Sequence, residues 1–117
     1  MVNQKHWLII LSQPPYASGR VLAGLDAAMA AGVFGQRVSV LLRGTAVFQL
    51  QQGQHNHPTD RHVAKTLASM PLYDVESIYI DTTYWQQVNA IPDLDVTPIA
   101  PNRVGDLIAR ADHVLNF

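Results

Sequence analysis

Two runs of apolar side chains restrict this chain more than any other feature: Trp7-Leu8-Ile9-Ile10-Leu11, and the Val and Leu residues of Val38 to Leu42. A strand with one wet face alternates apolar and polar residues. A strand apolar throughout must be covered on both faces, as in the interior of a parallel sheet. Parallel neighbours cannot be joined by a tight hairpin, so the intervening sequence should supply crossover helices.

It does so in order. After the first strand, His6 to Leu11, Ser18 is placed to cap a helix that runs to about Ala31 and stops at Gly32. Val21, Leu22, Leu25, Ala28 and Met29 share one of its faces. Gly44 breaks the second strand, and one or two helical turns carrying Val47, Phe48 and Leu50 follow. The polar stretch Gln51 to Thr59 leads to a helix over Asp60 to Ser69, with Val63, Ala64, Leu67 and Met70 inward and Pro71 ending it. Val75 to Ile80 reads as the third strand, and Thr82 or Thr83 as the cap of a short helix through Val88. Asp95 to Ile99 is a fourth strand, Pro101 opens a last helix to about Ala111, and His113 to Phe117 is the closing strand. This order predicts one α/β domain over 1–117. It is a doubly wound, mostly parallel sheet of about five strands with helices on both faces.

At 117 residues the chain can bury roughly two thirds of its unfolded surface in a single core. Its low charged fraction, 15%, favours an oligomer, since few charges are available to solvate a whole monomer surface. Eight basic and nine acidic residues with no Lys/Arg block leave no nucleic-acid footprint. The first residues read as a strand rather than a signal peptide, and no run is long enough to span a membrane, so the cytoplasm is the expected compartment. Without a cysteine the chain has no disulfide, no thiolate nucleophile and no Cys-ligated metal.

Four groups invite chemistry. His55, His57 and His62 suggest a metal, but their spacing is not a ligand pattern and their polar neighbours read better as a solvated connection. Ser18-Gly19-Arg20 lies where such folds bind phosphates, yet lacks the full glycine spacing, so a cap, a turn and a solvated arginine are the preferred reading. Asp81 with Thr82 and Thr83 stands at the catalytic edge of the sheet. With no base or metal partner, a role in capping the next turn is preferred over general-base work. His6 and His113, at strand ends, read as packed or surface residues. No cofactor and no metal are expected.

The remaining signal is aromatic. Tyr73, Tyr79, Tyr84 and Trp85 cluster in one quarter of the sequence, and with Phe48 they suit either a subunit contact or ordinary core filling. Val47, Phe48, Leu50, Tyr73, Tyr84 and Trp85 are the candidate contact residues.

Several short pieces taken in order resemble the TusC/DsrF subunits of sulfur-relay complexes, within the DsrE-like fold. They are Ser12-x-x-Pro15, Gly24-Leu25-Asp26-Ala27, Val47-Phe48-Gln49-Leu50 with Gly53-Gln54, Leu72-Tyr73-Asp74-Val75, and Ala111 through Phe117. The chain departs from the family in two places. Val21-Leu22-Ala23 stands where members often carry Gly-Arg-Glu, and Asp81 stands where the sister TusD/DsrE subunits carry the persulfide-accepting cysteine. The resemblance implies a non-catalytic structural subunit of a TusBCD-like assembly, a dimer of heterotrimers with TusB-like and TusD-like chains. That assembly passes persulfide sulfur through a TusE-like carrier towards 2-thiolation of the tRNA wobble uridine. The alternatives are a DsrF-like subunit in dissimilatory sulfur oxidation, a homo-oligomeric DsrE-like protein, and a stand-alone α/β ligand-binding module using Ser18 to Arg20 with Asp81.

Overall fold

In the computed structural model, which describes residues 4–14, 19–52, 63–91 and 94–117, the two apolar runs lie side by side near the middle of one sheet. β1 (His6–Leu11) and β2 (Arg37–Leu42) pair in parallel, with Trp7 opposite Val38 and Leu11 opposite Leu42. β3 (Val75–Asp81) follows on the far side of β2, and β4 (Thr97–Ile99) lies beyond it. β5 (His113–Asn116) pairs with the free side of β1. The order is β4-β3-β2-β1-β5, and all four pairings are parallel.

Alternate side chains of the central strands feed two cores. Ile9, Leu11, Val38, Val40, Leu42, Ile78 and Ile80 pack under α1 (Arg20–Val33), α2 (Val63–Ala68) and a 3₁₀ helix, Gly44–Leu50. Leu8, Ile10 and Leu41 meet Val104 and Leu107 of α3 (Val104–Arg110) on the opposite face. This is why neither apolar run alternates: both faces are dry. Register slips by one residue at the start of β3, where Val38 faces Val75 but Ser39 faces Ser77. The extra residue, Glu76, lets Val75 and Ile78 enter the same core although they are three apart.

Glycine 32 does not stop α1. The helix continues through it to Val33, because Gly32 is where α1 crosses the backbone of the 3₁₀ turn Met70–Tyr73; a methyl there would fall on the Tyr73 carbonyl oxygen. Termination comes three residues later. Gly35 adopts φ +86°, its N–H bonds the Gly32 carbonyl and the Gln36 N–H bonds that of Ala31, which is a Schellman closure.

Other boundaries shift for local reasons. β3 extends to Asp81, and β4 is shorter than the expected Asp95 to Ile99. The helix expected after Thr82 or Thr83 is a single 3₁₀ turn, Trp85–Gln87, with no side-chain cap. The last helix begins as a 3₁₀ turn, Pro101–Arg103, before becoming α3. The expected starts of the first two helices, Ser18 and Asp60, lie outside the described residues.

At the N-terminal edge of the sheet Arg37 donates through Nε and Nη2 to both oxygens of Glu76, each at 3.1 Å. That bonding raises the guanidinium's affinity for its proton and holds the Glu76 carboxyl below its ordinary value. Nearby, the His6 amide donates to Asp112 at 2.8 Å, which lowers the Asp112 carboxyl likewise.

Candidate functional site

In open α/β sheets the default site is the crevice outside the strands' C-terminal ends, where strand order reverses. Here the reversal lies between β1 and β5, and the chain fills it with its own atoms. The Ser12 amide donates to the Phe117 carbonyl at 2.9 Å, and the Ser12 hydroxyl to Asn116 Oδ1 at 3.0 Å. Arg20, at the start of α1, places Nη2 3.4 Å from the Asn116 carbonyl. The Phe117 ring packs on α1 at Gly24, where an added Cβ would lie 3.1 Å from the ring and 2.6 Å from Leu11 Cδ2. Gly19 holds the N-cap position with no side-chain cap bond, while Ser18 lies outside the described residues.

The other loops at this edge form a doubly pinned slab. Asp81, 5% exposed, closes β3. Its Oδ1 accepts the amide and hydroxyl of Thr83 at 2.9 and 2.7 Å, and its Oδ2 accepts the Gly44 amide at 3.4 Å. The carboxylate thus ties the loop after β3 to the loop after β2. The threonines do not cap a helix; the aspartate braces the turn that contains them. The far ends of the same loops are joined again. Gln51 and Ala90 form an antiparallel bridge, Gln52 donates from its amide to Asn89 and from Nε2 to Ala90, and Ile91 donates to Leu50. Gln49, 7% exposed, anchors the slab to the loop after β1 by donating from Nε2 to the Gln13 carbonyl at 3.3 Å.

The candidate contact residues separate on this frame. In a 3₁₀ helix side chains three apart eclipse, so Val47 and Leu50 point the same way, as do Ala46 and Gln49. All four are buried. Val47 and Leu50 therefore belong to this chain's own core, correcting their place among the contact residues; they support the surface from beneath. Phe48 occupies the remaining row and is half-buried against that core. Its ring lies 5.9 Å from that of Tyr84 at 40°. Trp85 is half-buried beside the same core. Tyr73 is elsewhere: it precedes β3 while Tyr84 follows it, which puts them at opposite ends of a seven-residue strand. Tyr79 packs on the α3 side of the sheet. The inter-loop bridge at Gln51 and Ala90, which sets the aromatic geometry, carries no sequence signal, because isolated antiparallel pairing between two irregular segments has no periodicity to read.

Among the described residues no group of His, Asp or Glu could hold a metal ion, and His55, His57 and His62 lie outside them. His113 packs its ring 4.3 Å from Trp7, and His6 Nε2 lies 3.1 Å from Ser39 Oγ. No described helix is long and apolar enough to cross a membrane. The arrangement offers buried acceptors already engaged by backbone and hydroxyl donors, capped by an aromatic surface.

A sequence model described as the DsrE/DsrF-like family matches residues 5–117. Two curated proteins, each named Protein TusC homolog, are similar along their whole length. That of Pseudomonas aeruginosa is 28% identical over 114 residues, covering 94% of this chain and 96% of its own. That of Vibrio vulnificus is 28% identical over 123 residues, covering 99% and 100%. The crystal structure of the YchN protein from E. coli shares the fold at a TM-score of 0.77 and 20% identity, covering 98% of this chain and 100% of its own.

Proposed function

This chain belongs to the DsrE/DsrF-like family, and we propose that within it the chain is a non-catalytic subunit of a cytoplasmic TusBCD-like sulfur-relay complex. In this reading it binds TusB-like and TusD-like chains in a dimer of heterotrimers. The assembly hands persulfide sulfur to a TusE-like carrier, on the route to 2-thiolation of the tRNA wobble uridine.

The observation that carries the proposal is the absence of cysteine from all 117 residues. In a persulfide relay an accepting thiolate attacks the outer sulfur, the S–S bond breaks, and the donor cysteine leaves as a thiolate. Asp81 can play neither part. Its oxygens are engaged by Thr83 and Gly44, and a carboxylate forms no persulfide. Sulfur in such a complex must pass through other chains, leaving this one to position them. The Phe48, Tyr84 and Trp85 surface, fixed by the pinned loops, is the contact offered. The names of the similar bacterial proteins support the same assignment.

Co-expression with the TusB-like and TusD-like proteins of the same organism tests the reading. The three are expected to co-elute, and deleting this chain's gene should lower tRNA 2-thiouridine measured by mass spectrometry. Elution of this chain alone at every concentration would overturn the complex. Unchanged 2-thiouridine in the deletion strain would redirect the relay from tRNA to another sulfur acceptor.

A further inference from the structure

The two edges of the sheet are not alike. β4 is three residues long and carries Pro98 at its centre, which offers no N–H to an incoming strand. β5 has no proline and no Asp, Glu, Lys or Arg from His113 to Phe117, and among the described residues no strand lies on its outer side. Backbone groups alternate along a strand. Phe117 donates inward to the Ile10 carbonyl, so the amide groups of Asn116 and Val114 point outward. Among the described residues only the Asn116 carbonyl is engaged there, by the Arg20 guanidinium at 3.4 Å, and it retains a second lone pair. Val114 and Leu115, 39% and 38% exposed, present an apolar side chain on each face of this edge.

We infer that β5 pairs antiparallel with β5 of a second copy of this chain, about a twofold axis through Leu115. The outer groups are self-complementary about that axis. Val114 of one copy exchanges both backbone bonds with Asn116 of the other, and Asn116 with Val114, while the two Leu115 residues face each other without bonding. A copy satisfies the outward donors of Val114 and Asn116 and extends each sheet into a ten-strand sheet across an isologous contact. In the proposed complex this contact would supply the twofold that joins two heterotrimers; that last step alone rests on the proposed function.

A single introduced cysteine reads the geometry, because the chain has none of its own. Facing residues in a non-bonded antiparallel pair have Cα atoms about 4.5 Å apart, within reach of a disulfide. The purified L115C chain should therefore oxidise to a linked dimer at least about tenfold faster than T97C on the β4 edge, because pairing raises the local thiol concentration. Adding V114P removes an outward N–H and no internal bond, and should return L115C to the T97C rate with circular dichroism unchanged. Should V114P fail to fold, V114K on the same background serves instead, with the same expected loss. Linkage of L115C no faster than T97C, or linkage insensitive to the folded Val114 variant, overturns the pairing. Co-expression separates the two readings: edge linkage without capture of TusB-like and TusD-like chains upholds the pairing and defeats the relay assignment. Capture of those chains without edge linkage does the reverse.

Discussion

The ring of Phe48 rests 5.9 Å from that of Tyr84, although the two residues come from different loops and are 36 positions apart in sequence. Their approach is held at one end by Asp81, which accepts from Gly44 and Thr83, and at the other by the Gln51–Ala90 bridge. The pair is a tertiary feature, and it can be perturbed from either loop or from the braces beneath.

Replacing Phe48 by Asp should weaken association with the sister subunits by about 2 kcal/mol or more, roughly 30-fold in Kd. Because Phe48 is half-buried, some folding stability goes with it; Tyr84→Ala, on a residue 37% exposed, gives the cleaner loss of binding. Titration calorimetry of the folded variants checks both. Wild-type affinity for Y84A and F48D together would remove this surface from the interface.

Asp81→Ala should lower folding stability by about 1 kcal/mol, since the part-buried amides of Thr83 and Gly44 lose their acceptor. Asp81→Asn keeps an acceptor oxygen and should lose less. The two loops should also show faster amide exchange in D81A than in D81N, by mass spectrometry, at Gly44 and Thr83 above all.

Gly32→Ala should cost about 1–3 kcal/mol, because the new methyl meets backbone at the Tyr73 carbonyl and neither segment can rotate aside. At this chain length 1 kcal/mol corresponds to roughly 4 °C in Tm. Gly24→Ala first meets side chains, the tip of Leu11 and the Phe117 ring, so thermal denaturation should show a smaller loss there.

Acid should weaken the fold partly through Glu76 and Asp112. Hydrogen bonds from Arg37 and from the His6 amide hold their folded values below the ordinary 4.5 and 3.8. A depressed carboxyl contributes stability above its unfolded value and loses it as pH falls through the folded one. Between about pH 5 and 3, then, the fall in Tm should be shallower in Glu76→Gln and Asp112→Asn than in wild type. Parallel curves would show that these bonds add nothing in solution.

The two central strands were legible because a strand covered on both faces is apolar throughout, a signal that does not depend on its neighbours. Helix faces were legible for the same reason, as Val21, Leu25 and Ala28 repeat at helical spacing and are buried. What escaped was contact between distant segments. Gly32 looked like a stop because a glycine at a helix end often is one, and only the position of Tyr73 shows its role as a crossing point. Tyr73 and Tyr84 looked like neighbours because sequence distance conceals the length of β3. Val47 and Leu50 looked like partners of Phe48 until the 3₁₀ pitch separated them from it.

Pro98 limits more than its own strand. A sheet able to add strands at both edges can keep adding subunits, each new copy presenting another open edge, and the product is a fibre of no fixed length. A sheet closed at β4 can be extended only at β5, and a twofold contact there consumes the open edge of both partners. Growth of this kind halts at two chains, so a protein with few surface charges stays a bounded particle as its concentration rises.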